Sequence, residues 1–507
     1  MNITGTGFPR NRIDPTTFFI MAAVGLGVLI SALVHISESW IWPVAFVAGL
    51  LLVWLVIKKP DWGLAILVFV IYTRSSDIME RESGVPSFVL PLALLLLAVI
   101  VARWWLWGET IHNWEQAAIL IGVYGFVGFI SLFYAADPAR SENALVQYAK
   151  DGLILMTVVF TLRRRASLHA AVWALILAGL FMGTLTVYQQ LTGTFENDYG
   201  GFAKAEVKNI VGQVSDFRVA GPLGATNFYA MILVVLVPLA WDRLWQEKSW
   251  ALRLVSLWCL VVCVLSIIFT FSRGGFLALC LVGLFIMIHQ SARPRRILLA
   301  VVLLVLLLPI LPANYTERLV TTLDLFSGDS NDARNETSFR GRTSEVVVAW
   351  RIFTDHPVWG VGLKNYKYYY QDYAQPLGWD KRREERSAHN LFLEIAAETG
   401  LVGLAAFGAI VGNAFYGLRR AGRSLTQQGH YNEAGMAWAL AVGLAGYLAA
   451  SFFLHGAYPR YFWLIIGIAL ALPQIVALSP VAKTVETKSA SAPLSLGGRN
   501  GMMGYAE

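Results

Sequence analysis

The chain has 507 residues, of which 56% are hydrophobic and only 14% charged, against roughly 25% charged in ordinary soluble domains. With a mean hydropathy of +0.56, this excludes a soluble globular domain and describes a polytopic membrane protein. The net charge of +7 does not require nucleic acid as a partner, because the basic residues cluster between apolar runs, where membrane topology accounts for them.

Residues 1–17 are polar, with Arg10 and Arg12, and read as a cytoplasmic N-terminus rather than a signal peptide. The apolar run that follows, 18–34, is long enough to stay in the bilayer as a first span. About fourteen runs approach the ~20 residues that a spanning helix needs. They cover 18–34, 40–57, 61–73, 86–103, 116–134, 150–162, 168–190, 224–241, 252–271, 274–290, 297–312, 398–418, 433–454 and 460–478. The expected fold is therefore an all-α transmembrane bundle of about 12–14 spans with one large extracytoplasmic loop that contains amphipathic helices. It divides into a first transmembrane part over 18–312, the loop over 313–399, and C-terminal transmembrane helices over 400–480. A cytoplasmic tail over 481–507, rich in Ser, Lys and Gly, reads as disordered.

Lys and Arg collect in cytoplasmic loops. With the N-terminus inside, Lys58-Lys59, Arg103, Arg163-Arg164-Arg165, Arg243 to Arg253, Arg293 to Arg296 and Arg419 to Arg423 all fall inside. The same alternation sends four polar stretches outside: 74–85, 135–149, 191–222 and the long one from Asn314. The 18 Trp and 19 Tyr suit interfacial belts. Cys259, Cys263 and Cys280 all lie in apolar runs and read as small core residues, with no disulfide framework or metal spacing.

The stretch from Asn314 to Gly400 is the only long polar interruption, and its alternation of apolar and polar residues is that of a folded piece. Val346, Val347, Trp350 and Phe353 recur at helical spacing, with Thr343 or Ser344 placed to cap the start and Asp355 to Pro357 to stop it. A Tyr-rich turn at 366–373 and the charged run Lys381 to Arg386 follow, before Ser387-Ala388-His389-Asn390. The segment 391–418, with Glu394 and Glu398 near its start, leaves room for an outer helix before the membrane.

Only His35, His356, His389 and His455 fall on the outer side. His356 ends a helix before a proline, which suits a structural role. His389 closes the polar loop with Glu394 and Glu398 near in sequence; a lone histidine is more often structural than catalytic, but here it has company. Arg273 sits between two apolar runs with almost no loop, where a guanidinium is expensive unless it snorkels or meets an anion. Arg218 precedes the span at 224–241, and Asp216 is a candidate partner for it. Two outer arginines and an outer histidine suit a reaction on a phosphorylated lipid, since the planar guanidinium fork matches phosphate oxygens.

Phe271-Ser272-Arg273-Gly274-Gly275-Phe276, then His356-Pro357-Val358-Trp359-Gly360-Val361-Gly362-Leu363-Lys364-Asn365-Tyr366, then Ser387-Ala388-His389-Asn390 running on to Glu398-Thr399-Gly400-Leu401-Val402-Gly403-Leu404, stand in an order and spacing that resembles the O-antigen ligase and O-antigen polymerase superfamily. The resemblance covers about residues 210–410. It implies a glycosyltransferase of the bacterial inner membrane, active on the periplasmic side. Such an enzyme moves a glycan from a polyprenyl diphosphate carrier to an acceptor hydroxyl without a metal or other cofactor. It further implies that Arg218 and Arg273 hold the diphosphate, that His389 activates the acceptor, and that Arg342 adds a basic position at the loop helix. Arg340, Asn390 and Glu398 are secondary candidates. The implied partners are the lipid-linked donor, a glycan, lipid A core or protein acceptor, membrane lipids, and a flippase and chain-length regulator, with no nucleic acid among them. A single displacement would invert the anomeric centre, and a two-step route through Glu394 or Glu398 is the alternative. Two other classes compete: a transporter of a small anion or saccharide, whose polar residues would gather at the bilayer midplane, and a scaffold of a polysaccharide export complex.

Overall fold

The computed structural model describes residues 41–109, 114–211, 214–289, 294–298, 302, 337–378, 384–454 and 460–478. A segment in lipid satisfies its amides only by bonding to itself, so the apolar runs become helices. In chain order these are α1 Ile41–Lys58, α2 Pro60–Thr73, α3 Ser75–Ser83, α4 Val89–Trp107, α5 Trp114–Ser131, α6 Pro138–Thr161 and α7 Arg165–Thr192. A hairpin of β1 Lys204–Val211 and β2 Val214–Gly221 precedes α8 Thr226–Gln246, α9 Trp250–Phe269 and α10 Arg273–His289. Then come α11 Thr337–Asp355, α12 Tyr366–Ala374, α13 Leu391–Gln427, α14 Tyr431–Ala450 and α15 Arg460–Leu478.

Among the described residues nine helices are long and apolar enough to cross a membrane: α4 to α9 and α13 to α15. The pair α2 and α3 qualifies only as one span bent by 63°, with Arg74 at the break in the left-handed region at φ +56°. The expected run 61–73 is thus the apolar limb of a bent helix pair. Residues 47–58 and α10 are shorter apolar helices. The expected run 18–34 lies outside the described residues, as does nearly all of 297–312.

At the centre stands α8, buried along almost its whole length, with α9, α10 and α14 packed round it. Its apolar length packs against these neighbours, and the buried Asp242 and Arg243 near its end are paired with each other. Gly179 of α7 lets that packing close, since a Cβ there would lie 2.5 Å from Leu236 Cδ1 and 3.1 Å from Cys263 Sγ. Cys259 and Cys263 are buried in this core. The basic turns gather at one end of the bundle. Arg103, Arg163 and Arg164 lie 3.6, 2.7 and 3.8 Å from Glu109, and Arg243 donates to the Asn432 carbonyl at 3.0 Å.

Four expectations are corrected. The expected run 150–162 is only part of its helix: Asp137 caps the amide of Arg140, Pro138 takes the first helical position, and the polar residues 138–149 form the N-terminal half of α6. The stretch 191–222 is not wholly irregular, because its alternating residues pair as an antiparallel hairpin, the one strand structure among the described residues. Helix α11 is already formed at Thr337, so Thr343 and Ser344 do not cap it; Ser344 is buried in its interior beside the Tyr370 hydroxyl at 3.3 Å. The Tyr-rich turn is the helix α12.

The loop is a folded unit with its own core, in which Val348 and Ile352 of α11 meet Tyr366 and Tyr370 of α12, Ala388, and Ala397 of α13. Two clamps fix it to the bundle. Asn365, fully buried, accepts from the Asp137 amide at 2.8 Å and donates to Ser141 Oγ at 2.9 Å. The segment 357–362 lies as a ladder along the kink of α13, with Val361 N on the Ala397 carbonyl, Gly362 N on Glu398, and Leu401 N on Pro357 (3.0, 2.8 and 2.8 Å). Two glycines make that approach possible. Gly360 (φ +68°) would put a Cβ 2.4 Å from the Glu398 carbonyl carbon, and Gly400 (φ +61°) one 2.2 Å from the Val358 oxygen.

Candidate functional site

The turn between α9 and α10 is built to deliver Arg273. Thr270 Oγ1 accepts from Ser272 N at 3.2 Å and Ser272 Oγ from Gly275 N at 3.2 Å, while Phe271 takes the left-handed conformation at φ +52°. Strain of this kind, on the order of 1–3 kcal/mol, persists only where the surroundings over-determine it. Here Phe271 is locked in a small apolar cluster with Val187, Val219 and Val262. Arg273 therefore stands in the first turn of α10, where the helix N-terminus favours an anion. Gly274 and Gly275 admit close neighbours: a Cβ on them would lie 2.8 Å from Phe453 Cβ and 2.5 Å from Ala230 Cβ.

Arg218 arrives from β2. Its Nε donates to the Thr270 carbonyl at 2.8 Å and its Nη2 to Asn227 Oδ1 at 3.4 Å. Asp216 is turned to its own strand, accepting from the Phe217 amide at 2.7 Å, and Glu206 stands across the hairpin in register with Arg218. Arg273, Arg342, Asn227, Ser272 and Phe453 line one small cavity, and Arg218 reaches its edge through Asn227. Burial, joined by the charges of Arg342 and Arg273 against that of Glu206, pushes the Arg218 guanidinium down to about 10. Three guanidiniums thus converge where a desolvated cation is unfavourable. Such a cluster suits a multiply charged anion with planar oxygen arrays.

His389 stands just before α13 and meets α11 through Glu345, one turn along that helix from Arg342 of the cavity. Its Nδ1 is 2.6 Å from Oε2 of Glu345 and 3.2 Å from the Ser387 carbonyl. Glu345 follows Arg342 by three residues on α11, so their Cβ atoms are about 5–6 Å apart on one face. A second link runs through the aromatic pair Phe392 and Phe452, with ring centroids 4.6 Å apart; Phe453, the next residue, is a wall of the arginine cavity.

The remaining candidates are placed elsewhere. Asn390 caps α13, its Oδ1 accepting from the amides of Phe392 and Leu393. Arg340 falls in the first turns of α11, and its side chain lies outside the described residues. Glu394 and Glu398 are not the carboxylates of His389. Glu394 is 3.0 Å from Lys364 Nζ. Burial works against the charge on Lys364, but Glu394 and Glu398 outweigh it and hold the ammonium above its ordinary value. Sequence reasoning missed Glu345, Asn227 and Lys364, and took Arg386 for part of a charge run. Only the helical spacing of Arg342 and Glu345 could have drawn attention to one of them.

Residues 258–408 match the family model described as O-antigen ligase, and no curated protein matches the chain. The matched segment holds Arg273, Arg342, Glu345, His389 and both docking glycines. It is this segment, under a third of the chain, that is similar to the O-antigen ligase family.

Proposed function

We propose that this protein transfers a glycan from a polyprenyl diphosphate carrier to an acceptor hydroxyl, at the periplasmic face of the bacterial inner membrane. The observation that carries the reading is the cavity lined by Arg273 and Arg342, with Arg218 bonded to its Asn227 wall and His389 facing Glu345 one turn along α11 from Arg342. In the reaction the acceptor oxygen attacks the anomeric carbon and its proton passes to His389. The bond from that carbon to the diphosphate breaks, and the electron pair leaves with the diphosphate. The arginines stabilise the charge that builds there, usually the larger contribution, and the general base adds ~10²–10⁴-fold. With no carboxylate placed as nucleophile among the described residues, a single displacement with inversion follows. Arginines neutralise the diphosphate in the role that a divalent cation fills elsewhere, so the reaction is metal-independent in this reading.

The test is transfer from a radiolabelled lipid-linked glycan by purified protein in liposomes. We expect wild-type transfer to persist in EDTA, and His389→Ala to insert, bind donor and lose transfer by ~10²-fold or more. Undiminished transfer by His389→Ala would overturn its role. Glycan movement across the liposome membrane without a new glycosidic bond would favour a transporter instead.

A further inference from the structure

Glu345 belongs to no motif of the sequence, yet it is the most tightly specified carboxylate near His389. Its side chain is fully buried. One oxygen, Oε1, receives both Nε and Nη2 of Arg386 at 2.7 Å, and the other, Oε2, stands 2.6 Å from His389 Nδ1 as a charge contact whose alignment falls short of a hydrogen bond. Its own backbone carbonyl accepts from the Tyr366 hydroxyl at 2.7 Å, which ties that turn of α11 to α12. A carboxylate out of water persists only with such partners. The histidine is held as firmly: its backbone is in the left-handed region at φ +46°, and the next residue is the cap of α13.

Both groups that face Nδ1, the Glu345 carboxylate and the Ser387 carbonyl, are acceptors. In a neutral imidazole one nitrogen donates and the other carries the lone pair, so Nδ1 carries the hydrogen and Nε2 the lone pair. We infer that Glu345 is a positioning residue for His389: it selects the tautomer whose Nε2 accepts the acceptor's proton and offsets the imidazolium that then forms, while Arg386 holds the carboxylate in place. The inference rests on the reading of His389 as the base. An orienting carboxylate of this kind acts through the histidine and needs no contact with substrate.

The experiment compares wild type, Glu345→Gln and Glu345→Asp in two measurements. The first is steady-state transfer from the lipid-linked donor, with kcat and KM separated. The second is nitrogen NMR of histidine-labelled protein in lipid, with the His389 signals assigned by difference from His389→Ala. Glutamine is nearly isosteric but can present an amide donor to Nδ1. We expect it to lose ~10²–10⁴-fold in kcat with the donor KM unchanged, and to lose the pure Nδ1–H signature. Aspartate keeps the carboxylate and should restore part of both. A glutamine variant with wild-type kcat overturns the proposal. So do variants that both fail while the His389 signature stays as in wild type, since that outcome reports a structural loss. If wild-type protein transfers nothing, the transferase reading fails by itself, and the tautomer spectra still decide whether Glu345 sets the imidazole.

Discussion

Arg218 destabilises the empty protein that contains it. Burial pushes its guanidinium below its ordinary value to about 10 in the fold, so between the two values the unfolded chain binds more protons and stability rises with pH. Below pH 10 both states are charged and the whole penalty stands, on the order of 3 kcal/mol. Replacing the charge should relieve it: Arg218→Gln is expected to raise the melting temperature of ligand-free protein. Inorganic pyrophosphate should stabilise wild type more than this variant, because an anion that binds only the folded state adds to its stability. A fall in melting temperature would mean that the bonds to Thr270 and Asn227 outweigh the burial of charge. Geometry matters as well as sign. Arg218→Lys cannot serve both Thr270 and Asn227, and Arg273→Lys loses the paired donors of the guanidinium fork. Each should lower transfer by roughly 10- to 100-fold, the worth of one lost charge-assisted bond, with Arg419→Lys as an unaffected control. Equal rates in all three variants would sink the diphosphate assignment.

Among the elements, the segment 357–362 acts as a splint that holds the loop to the kink of α13, and its two glycines set how close the backbones come. Gly400→Ala must both enter the left-handed region and displace the Val358 carbonyl, so it is expected to cost about 3 kcal/mol or more. Hydrogen exchange at Val361, Gly362 and Leu401 reads this directly, and protection equal to wild type would refute it. These glycines stood in the sequence as motif letters without a reason; the reason is the pairing of two segments that are 40 residues apart. His389, Arg218 and Arg273 stood out in the sequence because Arg273 lies between two apolar runs, Arg218 just before one and His389 at the end of the long polar stretch. Glu345 did not, since on a helical wheel it is one more charge and its partner lies 44 residues on. Glu394 misled in the opposite way: close to His389 in sequence, it is drawn off by Lys364, two residues beyond the splint. The hairpin and the N-terminal half of α6 were hidden because polar residues that pair or continue a helix look, one by one, like loop.

For the molecule as a whole, hydropathy was enough to yield an all-α membrane bundle, while the bend at Arg74 needed the backbone itself. Orientation still rests on the basic clusters, and it makes a prediction. With Cys280, the exposed native cysteine among the described residues, replaced by alanine, cysteines at Arg164 and Arg420 should label only after permeabilisation and one at Tyr368 before it. The reverse pattern would turn the protein over and put the arginine cavity on the cytoplasmic side. That cavity also has a kinetic consequence. In the proposed reaction a glycosylated carrier would reach it as a diphosphate diester, and the spent carrier would leave as a monoester with one more ionisable oxygen. A cage of guanidiniums would then grip the exhausted lipid harder than the fresh one. On that proposal the first cycle is expected to outrun those that follow, and a time course without an initial burst would refute it.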